Sequence, residues 1–357
     1  IRAKINAPAL LEKYLSDQGF FPINRDKTNT LVDFVKGSNR EALRGRKPKF
    51  IISIFGNICD VYQPVEDELL ITRQILQIAY DYGFPVRILT KNILVMRDLD
   101  LIRKINRDSF ARVAFTITLS NPKDQLIFEP NASSTDERFV ALKQLREEGI
   151  PAGVYITPVI PIIGDTEKNL NNLFLRLKQS NTEFVITGGL TLKPGRNKDD
   201  FLKTINQYYP EQHDRFLEIY GNDSEYGHPD MEKWDKYNIP NPIKKGFQLS
   251  KEYGLTFYEP RYIPEGTIRA NLEIATILSR IAFLMGEIYE ESWQKAYQLR
   301  ETALELESFQ RDISTISMDE LLSLPFEKHV FRHIIEILQT GNSSYLHKKG
   351  DNSQLFV

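Results

Sequence analysis

The stretch IFGNICDVYQPVEDE, residues 54–68, gathers a thiol, carboxylates, amides and a phenol into one short segment. An apolar strand pattern stops at Gly56. Asn57, Cys59, Asp60, Tyr62, Gln63 and Glu66 follow in an irregular loop. Cys59 is the only cysteine of the chain. A thiol there could act as a nucleophile or as a metal ligand. The plain alternative is a small apolar residue at a strand end.

Similar clusters of polar residues stand where other apolar runs stop. They comprise Thr90, Lys91 and Asn92; Thr116, Thr118, Ser120 and Asn121; Thr157, Pro158 and Pro161; and Thr187, Gly188, Gly189, Thr191 and Lys193. Parallel α/β sheets bind ligands beyond the C-terminal ends of their strands. Any strand must end in something polar, so these clusters over-count the site. Lys91 stands out. An ammonium directly at a strand end, its stem passing a barrel mouth, suits a carboxylate or phosphate, against the plain reading of a solvated rim lysine.

Other constellations are weaker. His329 and His333 in HVFRH are four apart, a spacing that can bind a metal, but no acidic third ligand accompanies them. His228 stands alone in a loop. REALRGRKPKF, residues 40–50, gathers Arg40, Arg44, Arg46, Lys47 and Lys49, and reads as a solvated loop before it reads as a contact to a nucleic-acid backbone. TGGLTLKPGRN, residues 187–197, has glycines and basic residues suited to a substrate or phosphate, without a dinucleotide or P-loop pattern. Tyr258, Arg261 and Tyr262 close the last strand pattern on the substrate side.

Alternating elements must position these residues. Strand patterns cover 50–56, 86–90, 111–118, 152–158, 183–190 and 255–260, with helical patterns over 66–82, 97–107, 134–148, 166–179 and 198–219. Continuous apolar strands joined by helices predict a parallel sheet buried on both faces. Ser134 and Glu137 form a capping box, and YGFP (82–85) and EGIP (148–151) each end a helix at glycine before a strand-entering X-Pro. After residue 260 the alternation stops. Helical spacing runs from Ile268 to Met285 and on through Leu306, and a second capping pair, Ser317 and Glu320, opens another helical run. The closing QTGNSSYLHKKGDNSQ reads as a frayed, disordered tail. The domain reading is therefore a barrel over 1–265, a helical extension over 266–340 and a tail over 341–357.

The 357 residues, 41% hydrophobic, suffice for one barrel-type domain with an appendage. A net charge of −2 supplies no field for nucleic acid or anionic membrane. One cysteine excludes a disulfide framework and fits reduced, cytoplasmic surroundings. No apolar run is long enough to span a bilayer.

DVYQPVEDELLITRQILQIAYDYGFPVRILTKNILVMRDLDLI resembles the corresponding segment of radical S-adenosylmethionine proteins of the spore photoproduct lyase-like group, often described as DNA repair photolyase-related. Asp60, Tyr62, Gln63, Pro64, Glu66, Thr72, Arg73, Leu89, Thr90, Lys91, Arg97, Asp98, Asp100 and Leu101 match its pattern. FTIT and FEPNASSTDERFVALKQLREEGIPAGVYITPVIPIIGD resemble the ribose-side strand, the Glu-Pro-x-Ala…Arg helix and the Pro-x-x-Pro strand end. The resemblance runs from residue 1 to about 260 and is specific over 60–101 and 115–165. Val61 in place of proline and Asn92 in place of serine depart from it.

This resemblance implies an α/β fold, a partial (β/α)6 TIM-type barrel with a C-terminal all-helical extension. It implies two cofactors: S-adenosylmethionine and a [4Fe–4S] cluster on a CxxxCxxC loop after the first strand. The cluster would cleave S-adenosylmethionine to a 5′-deoxyadenosyl radical, fed by an electron donor such as flavodoxin or ferredoxin. That loop is not in this sequence, and one cysteine cannot hold a cubane. The chain opens on a helical pattern, INAPALLEKYLSDQ, at a residue that is not methionine; the expectation is that the first strand and its loop precede Ile1. By the same resemblance Lys91 and Arg138 hold the carboxylate of S-adenosylmethionine, Thr116 and Thr118 face its ribose, and Asn57 and Asp60 lie at its amino group. Cys59 is the catalytic candidate, offset from the family's hydrogen-donor cysteine. Tyr62, Gln63, Lys193 and Tyr258 are expected on the substrate side. The substrate is a small molecule or a nucleic acid, and the helical extension is available to a protein partner. Two alternatives stand beside this reading: a cluster-less binding or scaffold relative, and an ordinary barrel enzyme holding an anionic substrate through Lys91.

Overall fold

Five strands form one parallel sheet in the order β1-β2-β3-β4-β5, so consecutive strands are neighbours, as a barrel segment requires. They are β1 (Ile52–Ile54), β2 (Val86–Thr90), β3 (Ala111–Thr116), β4 (Ala152–Val159) and β5 (Val185–Gly189). In this computed structural model residues 4–23, 47–56, 59–222, 224–351 and 353–357 are described. The candidate residue Asn57 and the basic residues Arg40, Arg44 and Arg46 lie outside them. The fold class is mixed α/β. Register pairs Ile52 with Val86, Val86 with Ala111, Val113 with Ala152 and Val154 with Val185. Every residue of β3 is buried, as expected of a strand covered on both faces.

The helices follow local signals. Ser134 and Glu137 make the reciprocal capping box of the helix Thr135–Glu147. Thr166 caps Glu167–Gln179. Gly83 and Gly149 take left-handed φ of 71° and 73°, which let the chain leave each helix and enter the next strand. Two expected helices are divided. Leu70, at φ 53°, separates Glu66–Leu69 from Ile71–Asp81. Pro210 ends Arg196–Tyr208 and starts the turn that leads into His213–Tyr220, because proline cannot continue a helix that needs its N–H.

The expected strand at 255–260 is not one. Its segment runs beside β5 and makes a ladder-like bond, Val185 N to Thr256 O at 2.9 Å. It then turns away, because the Arg112 guanidinium takes the Pro260 carbonyl at 2.6 Å and Arg261 pairs with the C-terminus instead.

The C-terminal helices Arg269–Phe283, Trp293–Ser308 and Lys328–Thr340 bury Ile274, Leu278, Ile281, Leu299, Leu306 and Ile334 in the same apolar cluster that holds the sheet. A second cluster, with Leu190, Leu192, Ile205, Phe216 and Trp234, lies under the segments after β5.

The frayed tail is also corrected. Residues Ser344–Lys348 form a helix, and Phe356 bridges to Arg261. Asp351 accepts from Arg280 Nε at 2.6 Å. Arg280 is 1% exposed and also donates to the Phe257 carbonyl. A polar, glycine-containing composition hid the fact that a buried arginine needs this carboxylate.

Candidate functional site at the strand ends

The loop after β1 is held by a polar bracket. Asp60 Oδ1 accepts from the Tyr62 amide (2.8 Å) and from Thr90 Oγ1 (2.7 Å), and its Oδ2 accepts from the Lys91 amide (2.6 Å). Both carboxylate oxygens therefore tie the loop to the end of β2. Gln63 Nε2 donates to the Asp60 carbonyl, and Asn92 Nδ2 to the Tyr62 carbonyl. Asn92, where the related pattern has serine, also caps the 3-10 turn Ile93–Asp98 through its amide oxygen.

Behind this loop lies a buried ionic network. The Tyr62 side chain is wholly buried and its hydroxyl donates to Asp98 Oδ2 at 3.1 Å. Burial first, and then the Asp98 carboxylate, push this phenol well above its ordinary range. Asp98 also accepts from Arg73 and Arg97. Glu66 accepts from the Ile71 and Thr72 amides, so it caps the helix Ile71–Asp81 through space, and it accepts from Arg97 as well. The Asp-x-Tyr-Gln-Pro-x-Glu…Thr-Arg…Arg-Asp-x-Asp pattern is thus largely a scaffold. Tyr62 is corrected accordingly: it faces the interior, not a substrate.

The polar network at the strand ends centres on a residue that the sequence analysis did not single out. Glu129 is 8% exposed. Its Oε1 lies 2.8 Å from Lys91 Nζ, and its Oε2 lies 2.5 Å from Arg138 Nη2. Thr118 Oγ1 donates to the same carboxylate at 3.4 Å. Burial pushes the Glu129 carboxyl up, but Lys91 and Arg138 outweigh it, and the net is below the usual carboxylate range. The signal was present, since Glu129 opens the Glu-Pro run quoted for the family resemblance.

Arg138 has no exposed surface. Its Nε donates to the Ser133 carbonyl and its Nη1 to the Thr116 carbonyl, while Nη2 meets Glu129. It positions Glu129 and the end of β3 and cannot itself reach a ligand, which corrects its expected carboxylate contact. Lys91 can, with its side chain 36% exposed. Thr116 and Thr118 are buried at the end of β3. Asp60, Lys91, Thr118 and Arg138 are therefore brought into one connected strand-end network, and Thr116 joins it through its carbonyl.

The remaining candidates lie apart from that network. Cys59 is exposed in the β1 loop. Lys193 sits over the Tyr226 ring at 5.6 Å, on the second apolar cluster's side of the molecule. Tyr258 lines a cavity at the other end of the strands, with Arg87 and Arg112; this is not the expected strand-end position, because its segment crosses the sheet without pairing as a strand. His329 and His333 share the helix Lys328–Thr340, and burial holds both imidazoles below their ordinary range. Among the described residues no cluster of histidine, cysteine and carboxylate could hold a metal ion. A [4Fe–4S] cluster does not fit the residues present.

The class that these features define is a parallel α/β protein with a network of ion pairs and hydrogen bonds at its strand ends. No family model matches the chain. It is 32% identical over 160 residues to an uncharacterised protein of Methanocaldococcus jannaschii, covering 44% of this chain and 56% of that protein. It is 26% identical over 165 residues to an uncharacterised protein of Mycobacterium tuberculosis, covering 46% and 48%. A radical SAM Nα-GlyT isomerase of Pseudomonas phage M6 is 25% identical over 132 residues, covering 37% and 27%. The chain thus spans about half the length of the first of these relatives. Among solved structures, spore photoproduct lyase complexed with dinucleoside spore photoproduct aligns with a TM-score of 0.38 at 16% identity, over 63% of this chain and 64% of that one. Streptococcus suis SuiB bound to S-adenosylmethionine aligns with a TM-score of 0.29 at 10% identity, over 58% and 56%.

No helix among the described residues is long and apolar enough to cross a membrane.

Proposed function

We propose that this chain is the S-adenosylmethionine-binding sheet of a radical S-adenosylmethionine protein of the spore photoproduct lyase-like group. One observation carries the reading. Two cations from separate elements, Lys91 after β2 and Arg138 in the helix Thr135–Glu147, converge on a single carboxylate, that of Glu129. Arg138 is sealed inside and anchors Glu129, and Glu129 in turn fixes the ammonium of Lys91, the cation of the pair that a ligand carboxylate can reach. Lys91 has three donors and Glu129 engages one of its directions, so the carboxylate of S-adenosylmethionine would add to Lys91 or displace Glu129 from it. The sequence similarity to the phage radical SAM isomerase supports the cofactor class.

Asp60 acts on Lys91 through its backbone amide and is a positioning residue in this reading. No cluster step is assigned to these residues, since the one cysteine cannot hold a [4Fe–4S] group. The substrate, a small molecule or a nucleic acid, is left at that level.

Titration calorimetry with S-adenosylmethionine tests the proposal. Lys91→Ala is expected to weaken binding about tenfold or more, since a hydrogen bond to a charged group contributes about 1.5–3 kcal/mol. Affinity unchanged in Lys91→Ala sinks the assignment.

A further inference from the structure

At the opposite end of the strands lies a cavity of about 750 Å³ between the start of the sheet and the helical extension. That volume falls among those of small-molecule pockets. Arg87 and Arg112, which pair in register near the starts of β2 and β3, form its floor with Glu259. Residues 49–51, the segment from Tyr258 to Leu272 and the turn at Phe309 form its walls.

The walls are held in place. Gly266 N donates to the Pro48 carbonyl at 2.9 Å, and Lys47 pairs with Glu265 at the rim. Asn271 is 1% exposed, and its amide donates to the carbonyls of Phe309 and Arg311 and accepts from the Ile313 amide. These contacts fix the described walls against one another.

Its charges are unevenly satisfied. Arg112 is closed off: it makes a two-pronged pair with Glu183 and also meets Glu259 and the Pro260 carbonyl. Glu259 is saturated by Arg87, Arg112 and the Tyr155 hydroxyl. Arg261 is matched by Glu307. What remains is cationic. Arg87 is 40% exposed with one 3.3 Å contact to Glu259, which leaves most of its planar fork of donors open. Lys49 has no ion pair among the described residues. Tyr258, beside them, has a hydroxyl without a hydrogen bond among the described residues; it lines the cavity, and the Arg280 guanidinium packs on its ring at 5.3 Å.

The geometry points to a second ligand site in this cavity, for an oxyanion-bearing small molecule with a flat apolar body. A carboxylate or phosphate is held by the free edge of Arg87 and by Lys49, and the body lies against Tyr258. The site is independent of the S-adenosylmethionine reading. Arg87 near the start of β2 and Lys91 just past its end are four residues apart, so the two sites are separated by about 13 Å at the usual strand rise.

Calorimetry at low salt with inorganic phosphate and, separately, benzoate tests it. At least one probe binds the unmodified chain, its affinity falls about tenfold in Arg87→Ala, and Lys91→Ala leaves it unchanged. Benzoate alone identifies an aryl carboxylate as the ligand class; phosphate alone identifies a phosphate. If Arg87→Ala does not fold, the exposed substitution Lys49→Ala carries the same criterion. The site is overturned if neither probe binds, if the folded Arg87→Ala protein binds as well as the unmodified one, or if Lys91→Ala abolishes binding.

Discussion

Lys91 Nζ lies 2.8 Å from Glu129 Oε1 across the C-terminal end of β2, and Arg138 holds the other oxygen of the same carboxylate. One buried acid therefore sets the position of the exposed cation and anchors the buried one. Removing a single member of such a group has effects that depend on which charge is left alone.

Glu129→Gln separates these roles. It keeps the side-chain shape but leaves Arg138 buried without an opposing charge, and a broken buried pair costs about 3–5 kcal/mol. Urea unfolding should show that loss. The same substitution frees Lys91, so affinity for S-adenosylmethionine should rise. A fall in affinity with stability intact would place Glu129 in direct contact with the ligand instead.

The pH dependence follows from the lowered Glu129 carboxyl. A carboxyl depressed in the folded state contributes stability above its unfolded value, and that contribution is lost as pH falls through the folded value. Stability should therefore decline as pH drops below the ordinary 4.5 of a glutamate. Asp351, which burial raises but Arg280 lowers to a net value below its ordinary 3.8, acts in the same direction over a lower window. Thermal unfolding followed against pH should show a shallower acid decline in Glu129→Gln than in the parent.

Tyr62→Phe distinguishes a scaffold from a substrate contact. The variant loses the bond to Asp98, a hydrogen bond to a charged group, at a cost of about 1.5–3 kcal/mol. Its affinity for S-adenosylmethionine should match the parent once both are folded. A selective loss of turnover or ligand binding without destabilisation would return Tyr62 to the ligand side.

Asp351→Asn examines the C-terminal segment. It leaves Arg280 buried with weakened compensation, and destabilisation of about 3–5 kcal/mol is expected from chemical denaturation. A neutral result would mean that residues 351–357 contribute little to the fold.

The sequence by itself determined the alternation of strands and helices, the capping box at Ser134 and Glu137, the glycine stops at 83 and 149, and the strand-end position of Lys91. These are local: hydrophobic period, capping chemistry and left-handed turns act within a few residues. Only the tertiary structure decided that Asp60 and Tyr62 brace a loop, that Arg138 is sealed inside, and that Glu129 is the acid on which Lys91, Arg138 and Thr118 meet. It also decided that Arg87 and Arg112 meet Glu259, far along the chain, and that Asp351 completes Arg280. Each of these depends on which charge lies beside which across the sheet. A side chain's chemistry is set by the partner that neutralises it, and that partner is chosen by packing between segments distant in sequence.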